Sequence, residues 1–288
     1  MAVGSLLLGA ACLPAQAQIG SSTPVRIGVV GPFTGPSADF GVPMLNGIKL
    51  AVDEINAVGG YLGRPLELVV KDDAANPDQG RKVSQELLSE KVVAAIGFCN
   101  TGVAMKAIDL FQDTKTPLIV PCATGTAVTA KYPAPESYIF RVTARDALQA
   151  PLMVDDSVKR AWAKAAAAAD TTGHAAAGYN DVVAALAAKN LKPVHVSRFA
   201  LGVKDLSAEL AAARTAGAEV IYSNTVGQEN AVIANGKKAL GWKVPQVGPW
   251  TLSFPFFLDG AKDAAEGALM VQTFIAEPSN ERRASFLS

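Results

Sequence analysis

The sequence has few of the residues on which most enzymes and metalloproteins depend. Its 288 residues include two histidines and three cysteines. No zinc-ligand spacing, Walker loop, metal-carboxylate loop or Ser-His-Asp constellation is evident. His174 and His195 lie far downstream of the cysteines in sequence, so no cysteine has a nearby base to activate it. We therefore expect no enzyme, no cofactor and no metal site.

The chain also lacks net charge. Twenty-six basic and 26 acidic residues cancel, so no overall field attracts nucleic acid or anionic lipid. Half of the residues are apolar, which argues against disorder, and the length suits two α/β domains. We expect a folded protein with no nucleic-acid partner.

The first residues have the features of a secretory signal. Residues 1–17 contain an apolar stretch that ends in the small-x-small pattern of residues 15–17, which predicts cleavage before Gln18. Cys12 does not stand in a typical lipobox, so no lipid anchor is expected. No later apolar run is long enough to span a bilayer. We expect an exported, periplasmic protein.

Two cysteines remain after cleavage. Cys99 and Cys122 each stand just beyond a predicted strand. Export makes a disulfide possible, but pairing cannot be deduced from sequence. Both alternatives, a disulfide and two free, buried thiols, remain open.

Short apolar runs alternate with amphipathic stretches, a rhythm typical of parallel sheets covered by helices. The first half predicts strands and helices in turn at residues 25–30, 43–57, 66–70, 77–90, 92–96, 101–114 and 117–120. After an irregular loop at residues 123–135, residues 138–142 return to strand character. A lobe boundary near residue 143 gives an amino-terminal lobe, 18–143, and a second lobe, 144–288.

The second lobe repeats this architecture. Helices are predicted at residues 147–162, 175–188, 205–216 and 229–240, and strands at residues 165–169, 194–197, 219–223 and 246–247. The strand at 165–169 rests on position alone, because an alanine run favours helix by intrinsic propensity. The fold class predicted is two doubly wound, Rossmann-like α/β lobes joined by a hinge.

The spacing between the first strand and the following helix argues against a dinucleotide-binding domain. Glycines follow the first strand at positions 28, 31 and 35, and an acidic pair ends the second strand. A phosphate cradle needs a helix start directly after the glycines. Here Pro32 and Pro36 remove donors, and a loop of about ten residues is expected before the helix.

Three segments carry a resemblance to a known family. VRIGVVGPFTGPSADFGVPMLNGIKLAVDEINAVGGYLGRPLELVVKDDAANPDQG, AAIGFCNTGVAMKAIDLFQDTKTPLIVPCATGTAVT and DAAEGALMVQTFIAEPSNERRASF resemble the Leu/Ile/Val-binding proteins, type I periplasmic solute-binding proteins of ABC transporters. The resemblance covers almost the whole chain after the leader. It implies a monomer that closes its lobes on a small ligand and docks on a membrane permease.

The resemblance also assigns a ligand site in the first lobe. Thr101, at a helix start, falls where the family holds the ligand carboxylate, and a helix N-terminus favours an anion. Ala123 and Thr124 belong to the same cluster, with Cys122 beside them. Phe40 falls where the family puts an aromatic side chain over the ligand.

The second lobe departs from the family pattern. Family members that bind amino acids hold the ammonium with a carboxylate and a tyrosine, but Trp250 and Val226 stand at those positions, and His174 replaces another tyrosine. Glu229, at a predicted helix start, could supply a charge instead. A buried ammonium without a carboxylate is costly, so the pattern favours an aromatic or branched acid lacking an α-amine.

Two alternatives remain open on sequence grounds. A ligand-sensing receptor component of the same fold would share every feature above, and a hydrolase on this fold would need His174. The resemblance further implies a strand-helix section beyond Ser288 that crosses back between the lobes. We expect its absence to leave part of the second lobe uncovered.

Overall fold

A computed structural model describes residues 23–277 and 279–287. These residues form two α/β lobes, each built on a five-stranded sheet whose paired strands all run parallel. The predicted two-lobed fold class is therefore confirmed. The predicted leader, residues 1–17, and Cys12 lie outside the described residues.

The first lobe alternates strands with helices and has the strand order β2-β1-β3-β4-β5. Its elements are β1 (Val25–Gly31), α1 (Ala38–Ala57), β2 (Leu66–Asp72), α2 (Pro77–Ser89), β3 (Ala94–Ile96), α3 (Thr101–Asp113), β4 (Leu118–Val120), α4 (Ala127–Ala130) and β5 (Ile139–Arg141). The short α4 interrupts the segment that was predicted to be an irregular loop.

The second lobe has the strand order β10-β9-β8-β6-β7. Its elements are α5 (Asp146–Lys159), β6 (Ala165–Asp170), α6 (Gly173–Ala187), β7 (His195–Phe199), α7 (Ser207–Thr215), β8 (Val220–Asn224), α8 (Glu229–Ala239), β9 (Gln246–Gly248), α9 (Pro255–Ala261), β10 (Leu269–Met270) and α10 (Glu281–Leu287), with 3-10 helices at Trp250–Ser253 and Lys262–Ala265. No described helix has both the length and the apolar character that crossing a membrane requires. The lobe boundary predicted near residue 143 falls between β5 and α5, and it remains a proposal.

The alanine run forms a strand, as its position predicted. All residues of β6 are buried, and β6 pairs with β7 on one side and β8 on the other. Small side chains suit a central strand that is covered by helices on both faces. Tertiary burial therefore overrides the intrinsic helix propensity of alanine.

The start predicted for the first helix was wrong. Helix α1 begins at Ala38, and only residues 32–37 separate it from β1, so the expected ten-residue loop was also too long. Pro43 lies inside the helix and does not start it. The first turn packs so closely on the preceding loop that a Cβ at Gly41 would lie 2.1 Å from the carbonyl oxygen of Pro32. Only glycine permits this approach.

The second lobe is covered on both faces of its sheet. One buried cluster includes Val182, Leu186 and Tyr222, and a second cluster includes Ile221 and Ile233. Tyr222 and Ile221 are neighbours in β8, so their side chains point to opposite faces. Described helices therefore pack on each face of this sheet, and the expectation that part of the second lobe is uncovered remains a prediction.

The first lobe is the one with an open sheet face. Its single buried cluster, which includes Leu118 and Val120, packs under α2 and α3. On the other face, an apolar groove of about 580 Å³ runs between α1 and residues such as Ile27, Ile96 and Ile119. Three apolar side chains of α1 line this groove, namely Ile48, Val52 and Ile55.

Lys237 gives a pH-dependent stability prediction. Its side chain is 8% exposed, and burial lowers its pKa from 10.5 to about 8. Replacing it with methionine should raise the free energy of unfolding by about 1–3 kcal/mol at pH 7, because the buried charge is lost while the stem still packs. Between pH 8 and 10.5 the unfolded chain holds the proton that the folded chain has released, so wild-type stability rises and the advantage disappears.

Urea unfolding across this pH range measures the effect. The exposed Lys243 is the control position, and Lys243→Met should change stability little at any pH. An advantage of Lys237→Met that stays constant from pH 7 to 11 would contradict the burial argument.

Candidate functional site

A cleft of about 810 Å³ lies between the lobes. Its walls come from loops and helix starts that follow the carboxyl ends of parallel strands, where open α/β sheets bind ligands. The lining residues include, from the first lobe, Ser37, Asn100, Thr101, Gly102 and Val103 and, from the second, Thr172, Gly173, His174, Val226, Gly227 and Glu229. Both lobes therefore contribute to one enclosed space.

The first-lobe wall is built on the start of α3. Asn100 precedes the helix with an extended backbone, and no side chain in the described part of the chain caps the first turn. The Asn100 side chain instead donates to Ser37 Oγ at 3.2 Å. The amide groups of a helix start carry partial positive charge, and here they face the cleft.

Thr101 is 4% exposed and lines this helix start. Its Oγ1 accepts a hydrogen bond from the backbone N–H of Gly125 at 3.2 Å. Because that bond uses a lone pair of the oxygen, the hydroxyl hydrogen is left to donate to an acceptor in the cleft. A carboxylate at this point would meet a hydroxyl donor and a helix N-terminus together.

A second helix start faces the first from the other lobe. Thr172 caps α6 by accepting from Ala175 N at 3.2 Å. The next residue, Gly173, lies against Gly102, so that a Cβ on Gly173 would be 2.9 Å from Gly102 Cα and 3.1 Å from Gly102 N. Two positive helix ends thus converge where the lobes touch.

Polar side chains also join the lobes beside these helix starts. His174 Nδ1 lies 3.4 Å from Thr124 Oγ1, and Nε2 of the same ring is buried without a hydrogen-bond partner among the described residues. Thr126 Oγ1 donates to Asp181 Oδ2 at 2.7 Å across the same boundary. Burial raises the pKa of Asp181. These contacts hold the lobes in a closed arrangement.

Aromatic side chains close another side of the boundary. Phe40 of the first lobe lies 4.6 Å from the ring of Phe254, 5.5 Å from Trp250 and 5.7 Å from Phe256, measured between centroids. Edge-on and tilted contacts at these distances are favourable for aromatic pairs. The Trp250 Nε1–H is buried without a partner in the described part of the chain.

Asp170 organises the second-lobe wall. Fully buried at the end of β6, it accepts hydrogen bonds from Thr172 N at 2.7 Å, from Thr225 Oγ1 at 2.6 Å and from Val226 N at 3.1 Å. One carboxylate therefore fixes both the start of α6 and the loop that carries Val226. Sequence reasoning missed this residue, although its place at the end of a buried strand could have indicated it.

Glu229 lines the cleft but is already engaged in its own lobe. It is 4% exposed, its Oε1 accepts from Gly202 N at 2.6 Å, and its Oε2 lies 3.4 Å from Thr225 Oγ1. Its position agrees with the expectation that it could bring a charge to the site. Both of its hydrogen-bond donors, Gly202 N and Thr225 Oγ1, belong to its own lobe.

Arg141 is a second residue that sequence reasoning missed. Its Nη1 donates to the carbonyl oxygens of Thr124 at 3.0 Å and Gly125 at 2.8 Å, and it lies 3.4 Å from that of Ala123. Its Nη2 donates to Thr129 Oγ1 at 2.6 Å. The guanidinium therefore sets the shape of the loop that contacts Thr101.

The eight residues assigned from sequence do not all reach the same space. Thr101, His174 and Val226 line the cleft between the lobes. Cys122 and Trp250 line the apolar groove beside α1. The remaining three are buried next to the boundary, namely Phe40, Ala123 and Thr124. Their roles in ligand binding remain proposals.

The described residues contain no cluster of three or more His, Cys, Asp or Glu side chains that could hold a metal ion. The cleft is lined by charged side chains at Asp39, Lys204 and Glu229 and by hydroxyl groups, backbone amides and helix ends that can donate to a ligand. Such donors bind and orient an anion of small size.

The family model for periplasmic binding proteins matches residues 24–288. Leu/Ile/Val-binding protein homolog 3 of Brucella melitensis is 33% identical over 199 residues, which is 69% of this chain and 53% of that protein. The chain thus spans about half the length of this relative. The Leu/Ile/Val-binding protein BraC3 of Rhizobium johnstonii is 28% identical, covering 91% of this chain and 71% of that protein.

A solved structure has the same fold. The branched-chain amino acid transporter substrate-binding protein LivJ from Streptococcus pneumoniae, in complex with isoleucine, superposes with a TM-score of 0.80 at 23% identity, over 92% of this chain and 75% of that one. The sequence match extends over the whole described chain, and the two-lobed architecture agrees with it. The chain therefore belongs to the periplasmic binding protein family, as a type I member related to the Leu/Ile/Val-binding proteins.

Proposed function

We propose that this protein is the extracytoplasmic solute-binding component of an ABC transporter and that it binds a small carboxylate-bearing ligand without catalysing a reaction. The observation that carries the proposal is the convergence of two helix starts, Thr101–Gly102 and Gly173, on one cleft between the lobes. An anion bound there would be attracted to both lobes at once. Members of this family are solute-binding proteins.

Closure of the lobes supplies the mechanism. The ligand docks on the first lobe through its carboxylate at Thr101, and the second lobe then brings Gly173 and His174 against it. A ligand shifts the open–closed equilibrium only by binding the closed form more tightly. Contacts from both lobes provide that difference, and the closed form is what a membrane permease would recognise.

The ligand we infer is an aromatic or branched acid without an α-amine. The Trp250 and Val226 positions carry no charge, and the buried carboxylate nearest the cleft, Glu229, already accepts from Gly202 N. An ammonium ion would therefore have only this already engaged carboxylate as a buried acidic partner among the residues that line the cleft, and desolvation makes such a partnership costly. Support from fold relatives is mixed, because one was solved with isoleucine and another, from Rhodopseudomonas palustris, with benzoate.

A ligand screen tests the proposal. Benzoate, 4-hydroxybenzoate and 3-methylbutanoate should raise the melting temperature of the protein by mass action, whereas benzamide should not. If leucine and isoleucine stabilise the protein while acids without an amine do nothing, the ligand inference is wrong but carboxylate binding stands. If no carboxylate-bearing compound has an effect, the proposed function itself is wrong.

Thr101→Val should weaken binding of the best acid by about 1–3 kcal/mol, the usual range for a hydrogen bond to a charged group. Valine keeps the shape of threonine and removes the hydroxyl donor. Calorimetry at a temperature where both proteins are folded measures the change.

Thr101→Ser is the matched control, since serine restores the hydroxyl and should keep most of the affinity. The loss in Thr101→Val should also be larger for the acid than for any neutral analogue that binds. Equal affinity of the wild-type protein and Thr101→Val for the acid would remove Thr101 from the site.

A further inference from the structure

Cys99 and Cys122 lie just beyond the ends of the neighbouring strands β3 and β4. In the parallel pairing of β3 with β4, Ile96 stands opposite Ile119. Each cysteine comes three residues after its isoleucine, in the segment that follows the end of its strand. Neighbouring strands lie about 4.8 Å apart, and disulfides need Cα atoms about 4.4–6.8 Å apart. The two cysteines therefore follow neighbouring strands whose spacing lies within the range that a disulfide spans.

Hydrogen bonds join the two segments that follow these strands. Gly97 N donates to Ile119 O at 3.0 Å, and Ala123 N donates to Phe98 O at 3.0 Å. The second bond joins the residue before Cys99 to the residue after Cys122. Closing a bond between the cysteines would thus require side-chain rotation more than movement of the backbone.

The thiols themselves are neighbours. The nearby thiol of Cys122 is the main cause that raises the pKa of Cys99, followed by burial. The Cys99 Sγ also lies 3.6 Å from Met44 Sδ. Cys99 is buried, whereas Cys122 is half-buried and lines the apolar groove beside α1. A small oxidant in the groove would therefore meet Cys122 first.

We propose that Cys99 and Cys122 are a dithiol pair that forms an intramolecular disulfide, with a small disulfide such as glutathione disulfide as oxidant. The Cys122 thiolate attacks one sulfur of the oxidant, which forms a mixed disulfide and releases one glutathione thiolate. The Cys99 thiolate then attacks the Cys122 sulfur and releases the second. Two protein thiols are oxidised, one disulfide is reduced to two glutathione thiols, and the thiol protons pass to the released thiolates and solvent.

The bond would connect the two loops of the first-lobe wall. Cys99 stands two residues before Thr101, and Cys122 stands two residues before Thr124. The same loops are already joined by the hydrogen bond from Gly125 N to Thr101 Oγ1. A disulfide at this point would fix the hydroxyl of Thr101 relative to the neighbouring loop, independently of which ligand the cleft takes.

Peptide mapping tests the proposal without a ligand. The reduced full chain is treated with glutathione disulfide, its remaining thiols are blocked by alkylation in denaturant, and it is digested with trypsin. The expected product joins residues 92–106, which contain Cys99, to residues 116–131, which contain Cys122. The melting temperature of the oxidised protein should exceed that of the reduced protein by about 5–10 °C, since the bond closes a loop of moderate length.

Cys99→Ser and Cys122→Ser should each abolish the joined peptide and the rise in melting temperature on oxidation. The peptide map of the wild-type chain tests the proposal even if a variant folds poorly. Recovery of both peptides in alkylated form, glutathione retained on Cys122, or a bond from either cysteine to Cys12 would each overturn the proposal.

Discussion

Gly173→Ala should weaken ligand binding about 10- to 100-fold and leave the ligand-free protein as stable as before. In the closed arrangement the new Cβ would lie 2.9 Å from Gly102 Cα and 3.1 Å from Gly102 N. Both are backbone atoms, which cannot turn aside as a side chain can, so the lobes must separate. Overpacking of this kind costs about 1–3 kcal/mol, and each 1.4 kcal/mol is a factor of ten in affinity.

The facing glycine is a matched control. A Cβ on Gly102 would meet Gly173 N at 3.8 Å, which is an ordinary contact distance. Gly102→Ala makes the same chemical change in the same contact, so it should weaken binding much less. Calorimetry gives the affinities, and small-angle scattering with saturating ligand should show Gly173→Ala as more extended than the wild-type protein. Equal affinity for the two variants would contradict closure by direct contact of these helix starts.

Asp170→Ala should lower the free energy of unfolding by about 3–5 kcal/mol, the largest loss expected from any single polar side chain discussed above. The substitution leaves Thr172 N, Thr225 Oγ1 and Val226 N without their acceptor in a fully buried position. Hydrogen bonds to a charged group contribute about 1.5–3 kcal/mol each, and unsatisfied buried donors add a penalty. The same donors shape the second-lobe wall, so ligand affinity should fall as well.

Urea unfolding measures this loss. Asp170→Asn keeps one acceptor oxygen and should cost less than Asp170→Ala. Asp155→Ala removes an exposed carboxylate that pairs with Lys189 on the surface and should change stability little. If Asp170→Ala unfolds at the same urea concentration as the wild-type protein, Asp170 does not organise the wall.

The alternation of strands and helices could be predicted because its physical basis is local. Apolar residues repeat every three or four positions in helices and run together in buried strands. Even the alanine-rich segment of β6 was predicted to be a strand, because it stands where the alternation of strands and helices requires one. The start of α1 could not be predicted, because it depends on contact between Gly41 and Pro32, which only the folded loop brings together.

The candidate site, too, could be predicted from the sequence only in part. The helix start at Thr101 was visible in sequence as a threonine after a strand, and the family resemblance drew attention to it. Arg141 was missed because it donates to backbone carbonyl groups, which leave no pattern of residue types in a single sequence. Asp170 stands at the end of a buried strand, which could have indicated it, but two of its three donors lie on a segment that is distant in sequence.

The sequence by itself determined the two-lobed α/β architecture, the balance of acidic and basic residues and the helix start that carries Thr101, because these depend on periodicity, composition and neighbouring residues. Only the tertiary structure decided that Gly102 faces Gly173, that the open sheet face lies in the first lobe and that Cys99 stands beside Cys122. Each of these depends on how segments that are separate in sequence pack together in space.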